Sequence, residues 1–224
     1  MIKNRRFILL SFLFLCGIAV AHDAEKPPSA SIVLIPERAA LRAELEAILE
    51  TDQKRRLLLN KADEKERAAL WAEQNVIDKA NQTRIDEIVK THGWPGKKEF
   101  GSKAAVAAFV VVQHSTSEMM RRYLPILRKA MENGDADKSS FALLDDRVRM
   151  IEGRPQRFGS QVQGSPNSNM YFWQIEDEEN VDKRRAEMGL EPLAEYAKRF
   201  KGLEYVPFAA RTDKAQHLKS NDLK

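Results

Sequence analysis

The chain has 224 residues, with 37 basic and 33 acidic side chains, four histidines and one cysteine. Three of the basic residues, Lys3, Arg5 and Arg6, stand at the extreme N-terminus. The remainder is close to neutral, so charge gives no case for nucleic acid or an anionic membrane surface as partner.

The first 21 residues read as a targeting segment: a basic n-region, an apolar run from Phe7 to Val20, and small residues Ala19-Val20-Ala21 before His22. The run of about 14 residues is short for a bilayer span of roughly 20. Secretory cleavage is therefore expected, with an uncleaved anchor or a lipid on Cys16 as alternatives. Phe14 and Leu15 are bulky for a lipoprotein site. Cleavage would remove the sole cysteine, so no disulfide is expected although the compartment, periplasmic or extracellular, would permit one. Residues 22–35, with Pro27-Pro28, read as a flexible leader.

The first helix starts at Pro36, a residue suited to a first turn. Leu41, Leu45, Ile48 and Leu49 repeat at helical spacing, and extending that stripe by whole turns reaches Asp52, Arg55 or Arg56, and Leu59. Asp52 is then either a solvated position where the stripe drifts or a buried carboxylate paired with an arginine. A second helix spans Glu64 to His92, with Leu70, Ile77, Ile85, Ile88 and Val89 inward, Gln74 and Asn81 on the same line, and Gly93 and Pro95 as stop signals. Trp94 reads as a packing lid before a ligand stack.

Ser102 is placed to cap a third helix, whose body from Ala104 to Val112 is apolar almost all round. Val110 to Val112 would also suit a strand, but the alanines before them favour helix. Ser115-Thr116-Ser117-Glu118 has capping-box spacing and opens a fourth helix with Pro125 as a candidate kink. Ser139 or Ser140 would cap a fifth, in which Arg147 lies on or beside an apolar stripe of Leu144, Val148 and Ile151 and Gly153 is the stop. From Gln156 to Ile175 the pattern predicts a β-hairpin with its loop at Gly164 to Asn167. A sixth helix from Asp177 to Gly189 and a seventh from Pro192 to near Gly202 complete the chain. The expected fold is mainly α: a single-domain multi-helix bundle over residues 36–205 with one small β-hairpin, and a disordered tail over 206–224.

No phosphate loop, nucleophile elbow or cysteine pair is present, and no histidine has a partner at helical i, i+4 spacing. Neither a metal nor a cofactor is expected. Several segments nevertheless form a series: Asp52-Gln53, HGWPG at His92 to Gly96, Gly101, VQH at Val112 to His114, LLDDR at Leu143 to Arg147, GRPQRFGSQ at Gly153 to Gln161, and NVDKRRAEMGLEPLAEY at Asn180 to Tyr196. In order and spacing this series resembles the domain-of-unknown-function family numbered 6624, over roughly Leu41 to Tyr196. The resemblance implies a set of positions and no established activity. The chain departs from the family pattern at Thr116-Ser117, where an aspartate is common, and at Phe158-Gly159-Ser160-Gln161, commonly Tyr-Gly-Thr-Gln.

The candidate site follows from polar groups on apolar faces. His114 is the candidate general base, since its free pKa lies near neutrality; a helix-terminal ring that caps or packs is the alternative. Arg147, Gln113, Asp52 and one or both of Gln156 and Gln161 are candidate ligand-binding residues. The two glutamines would need a bulge at Gly159 to share a face. Arg184 and Arg185 read as a solvated helix face or, if one turns inward, a carboxylate clamp. Two function classes remain. One is an exported small-ligand-binding or interaction domain, with a small molecule or another exported protein as partner. The other is a hydrolase or transferase with His114 as base and Arg147 and Gln161 holding an anionic or amide-bearing substrate. His114, Arg147 and at least one of Gln156 and Gln161 are expected to converge on one cavity.

Overall fold

In the computed structural model the described residues are 36–164, 170–200 and 202–206. The expected signal segment, the leader, the loop tip at 165–169 and the tail from 207 lie outside them.

Helices α1 (Pro36–Lys61) and α2 (Glu64–His92) are joined by a two-residue turn in which Asp63 accepts from the amides of Lys65 and Glu66. Such a cap satisfies backbone donors that the helix itself leaves open. The pair runs antiparallel. Arg84 bonds Glu44 near one end and Arg55 bonds Glu73 near the other.

Helix α4 (Ser102–Gln113) follows a single-turn helix, α3 (Lys97–Phe100), and lies alongside α1 in the same direction, with Lys103 near Glu46 and His114 near Asp52. Ala104, Ala107, Ala108, Phe109, Val110, Val111 and Val112 are all buried. Burial decides the helix-or-strand ambiguity. Each buried valine gains about 1.5–3 kcal/mol, against a helix-propensity deficit of under about 0.7. Around α4 the core takes Leu41 and Leu45 from α1, Ile85 and Ile88 from α2, Tyr123 and Leu127 from α5 (Ser117–Glu132), and Leu144 and Val148 from α6 (Lys138–Ile151).

Two capping expectations are corrected. Ser102 is already inside α4, whose N-cap is Gly101 with no side-chain bond. Ser139 and Ser140 are inside α6, whose N-cap is Asp137; its carboxylate accepts from Lys97 Nζ at 2.7 Å instead of capping. Helix α5 opens in the expected stretch, but its N-cap is Thr116, one residue after Ser115, accepting from the Met119 amide, and α5 continues through Pro125.

The hairpin is shorter than the pattern implied. Strands β1 (Val162–Gln163) and β2 (Tyr171–Phe172) pair antiparallel, with Val162 opposite Phe172. Further back only an isolated bridge joins Gln156 to Ile175. Residues between are pulled away by α6, as the site geometry shows. A 3₁₀ turn (Glu178–Asn180), α7 (Val181–Glu187) and α8 (Leu193–Ala197) follow; α8 stops well before Gly202. The architecture is mainly α with one small two-stranded sheet.

Candidate functional site

The apolar stripe of α1 ends with Ile48 and Leu49 packed on the core. One turn on, the same face carries Asp52 and Arg56, which are only 1% and 4% exposed. Arg56 Nε donates to both Asp52 carboxylate oxygens, at 2.9 and 3.0 Å, and its Nη2 reaches Asp78 of α2 at 2.7 Å. Gln74, fully buried one turn earlier on α2, donates to the same Asp78 oxygen at 2.7 Å. Burial raises the Asp52 carboxyl above its ordinary range, and the Arg56 charge opposes that rise. The buried-pair reading of Asp52 is the one the structure supports.

Helix α4 ends against this group. The His114 ring, with its side chain 17% exposed, places Nδ1 3.7 Å from Asp52 Oδ2, beyond hydrogen-bond length. Burial holds the imidazole well below its usual pKa, and the charges of Arg56 and Arg147 push the same way. The ring is therefore neutral at pH 7, the state a general base or a hydrogen-bond acceptor needs.

Arg147 approaches from α6. Its Nη1 donates to the Gln113 carbonyl at 3.0 Å and its Nε to Gln161 Oε1 at 3.2 Å. The Gln161 amide in turn donates to Ser160 Oγ. The guanidinium thus ties the end of α4 to the loop that follows α6.

Asp146, the residue before Arg147, holds that loop. Its carboxylate accepts from the amides of Arg157, Phe158 and Ser160 at 2.6, 3.0 and 2.9 Å. Three converging N–H donors fold residues 157–160 over α6, which is why the extended run breaks there. Gly159 makes the bend with φ of 68°, and a Cβ there would lie 2.8 Å from Leu193. Burial raises the Asp146 carboxyl, and the three amides oppose it. Arg185 braces the far side: almost fully buried, it donates to the Phe158 and Glu191 carbonyls at 2.5 and 2.6 Å and lies over the Tyr196 ring. The inward arginine of α7 therefore clamps carbonyls, not a carboxylate.

The candidates divide accordingly. Asp52, Gln113, His114, Arg147 and Gln161 form one linked neighbourhood. Gln156 is spent on main chain, with Nε2 donating to the Gln161 and Trp173 carbonyls and Oε1 accepting from the Gln161 amide. Arg184 stands apart. It binds the carbonyls of Arg157, Glu176 and Asp177 and the Asp177 carboxylate. Sequence reasoning did not assign Arg56, Gln74, Asp78 or Asp146 to the site. Arg56 and Gln74 were visible as polar residues on apolar stripes; Asp146 gave no such signal, because residues 140–146 of α6 are buried on every side.

Two buried atoms of the neighbourhood, Gln113 Oε1 and His114 Nδ1, have no hydrogen-bond partner; the same holds for Gln74 Oε1 and Asn81 Nδ2 on α2 and for Trp94 Nε1, Asp145 Oδ2 and Arg149 Nε. Among the described residues no group of three or more His, Cys, Asp or Glu is arranged to hold a metal, and no helix is long and apolar enough to cross a membrane. A shallow open depression of about 480 Å³ lies elsewhere, on the outer face of α2 between Asn75 and Thr83. It has one helix for a wall and none of the linked polar groups.

The sequence profile of a family of unknown function, DUF6624, matches residues 39–205. The chain belongs to this family. The match spans α1 through α8 and so takes in every residue of the linked neighbourhood. Comparison with curated proteins and with solved structures gives no match.

Proposed function

We propose that this DUF6624 member is an exported small-ligand-binding domain. Its site would lie where the α1–α2 hairpin, the C-terminal end of α4 and the Arg147–Gln161 bridge meet. The observation that carries the reading is the pair of unpartnered buried atoms at the end of α4, Gln113 Oε1 and His114 Nδ1, with Gln74 Oε1 unpartnered beside Asp78. Buried polar atoms are paired in the great majority of cases, and a network serving stability alone would be closed. This one is closed around Asp146 and open at Gln113 and His114 and at the Gln74 oxygen beside Asp78.

A second reading, acid–base catalysis of hydrolysis or group transfer by His114, is favoured by its neutral imidazole, with the Asp52 carboxylate 3.7 Å away, near the ring but beyond hydrogen-bond length. The sequence carries no nucleophile elbow and no cysteine pair, so binding is the main reading. A thermal-shift screen of the chain against metabolites and cell-wall fragments tests the proposal. A ligand that raises the midpoint for the parent chain but not for His114→Ala supports the site. Chemical conversion of that ligand, followed by mass spectrometry, would move the balance to the enzyme. Export belongs to the same proposal: the chain recovered outside the cytoplasm should begin at His22, and an intact Met1 or a lipid on Cys16 would refute simple secretion.

A further inference from the structure

We infer that the site takes a nitrogen hydrogen-bond donor from its ligand, an ammonium or a carboxamide NH₂, and not a carboxylate or phosphate. The inference rests on the ligand-site reading above. It follows from which valences of the neighbourhood are used. Two of the three nitrogens of each guanidinium face protein acceptors: Arg56 gives Nε to Asp52 and Nη2 to Asp78, and Arg147 gives Nε to Gln161 and Nη1 to the Gln113 carbonyl.

Two of the unpaired atoms are amide oxygens, which accept. Gln74 Oε1 is one, and its identity is secure on chemical grounds. The other amide atom faces the Asp78 carboxylate at 2.7 Å, and a carboxylate oxygen accepts, so that atom is the NH₂. Gln113 Oε1 is a second. The neutral His114 ring always presents one nitrogen as acceptor. Asn81 Nδ2, one turn from Asp78 on α2, is an unpaired donor. A carboxamide, with its own oxygen, serves both kinds of atom.

The test uses four small probes: acetamide, n-propylammonium, propionate and inorganic phosphate. Each is titrated into the ¹⁵N-labelled chain while the side-chain amides of Gln74 and Gln113 and the His114 ring are followed by NMR. Acetamide or n-propylammonium should shift these signals saturably, and Gln74→Leu should weaken that binding by about tenfold, the worth of one such bond. Which of the two binds tells amide from ammonium. If Gln74→Leu does not fold, Gln113→Ala, at a less buried residue, gives the same comparison. Saturable shifts of these signals by propionate or phosphate alone would overturn the donor inference while leaving the site intact. Shifts by none of the four would overturn it too, and the library screen would still judge the site. Binding unaffected by either substitution would show that the probes sit elsewhere and sink the inference.

Discussion

Replacing Arg56 by alanine separates burial from charge more sharply than any other single change. Arg56 joins two carboxylates, and its side chain is 5% exposed against 1% for Asp52 and 14% for Asp78. Its removal leaves two largely buried anions near each other, with only Gln53 and Gln74 amides to solvate them. Breaking a buried pair in this way costs about 3–5 kcal/mol. Arg84, on the same helix hairpin, bonds Glu44 across the same two helices, but both side chains are around 40% exposed. Solvent screening holds that pair to under about 1 kcal/mol. Urea unfolding followed by circular dichroism should therefore give a midpoint loss several times larger for Arg56→Ala than for Arg84→Ala, with unchanged slope. Replacing all three of Asp52, Arg56 and Asp78 by Leu, Met and Leu should be near neutral or stabilising, because no charge is then left stranded. Equal losses for the two arginines, or a loss below about 1 kcal/mol for Arg56→Ala, would refute the buried-network account.

His114 predicts a pH effect. Its folded pKa lies below the ordinary 6.5, so between those values the unfolded chain binds the extra proton. Its contribution is then complete above pH 6.5 and is lost as pH falls toward the folded value. His114→Asn should flatten that part of the stability profile measured by urea titration; an unchanged slope would mean the ring titrates alike in both states. Asp146→Ala strands three buried amides and should cost about 3–5 kcal/mol, with hydrogen exchange accelerated first at Arg157, Phe158 and Ser160; retained protection there would contradict the loop's dependence on Asp146. Gly159→Ala forces a side chain into positive φ against the buried Leu193 and should lower stability by about 1–3 kcal/mol, read as a drop in unfolding midpoint.

Elements with strong punctuation or a clear stripe were legible. Gly93 and Pro95 end α2 where expected, and α5 opens within one residue of the Ser115–Glu118 capping spacing. Short elements were not. Lys97–Phe100 forms a single helical turn with one buried side chain, Phe100, and one turn carries no period to detect. Serines near the start of α6 looked like caps, but Asp137 was drawn to Lys97 by a contact 40 residues away in sequence. The hairpin pattern at Gln156 to Gln163 was overridden for the same kind of reason. Asp146 supplies a carboxylate to amides that would otherwise have joined a ladder, a tertiary effect that strand periodicity does not encode. Within the site, Asp52 was legible because it interrupts an apolar stripe. Arg185 was not: its neighbour Arg184 shares its composition, and only the fold decides which of the two turns inward.

The central claim is that one ligand site lies at the end of α4 between Asp52 and Arg147. A crystal structure of the chain with the strongest ligand from the thermal-shift screen tests it most directly. Ligand density within hydrogen-bond reach of His114 and at least one of Gln74 and Gln113, with the α1–α2 hairpin and the Arg147–Gln161 bridge on either side, is the predicted result. Density on the outer face of α2, or anywhere that leaves those three side chains as they are in the free chain, would contradict it.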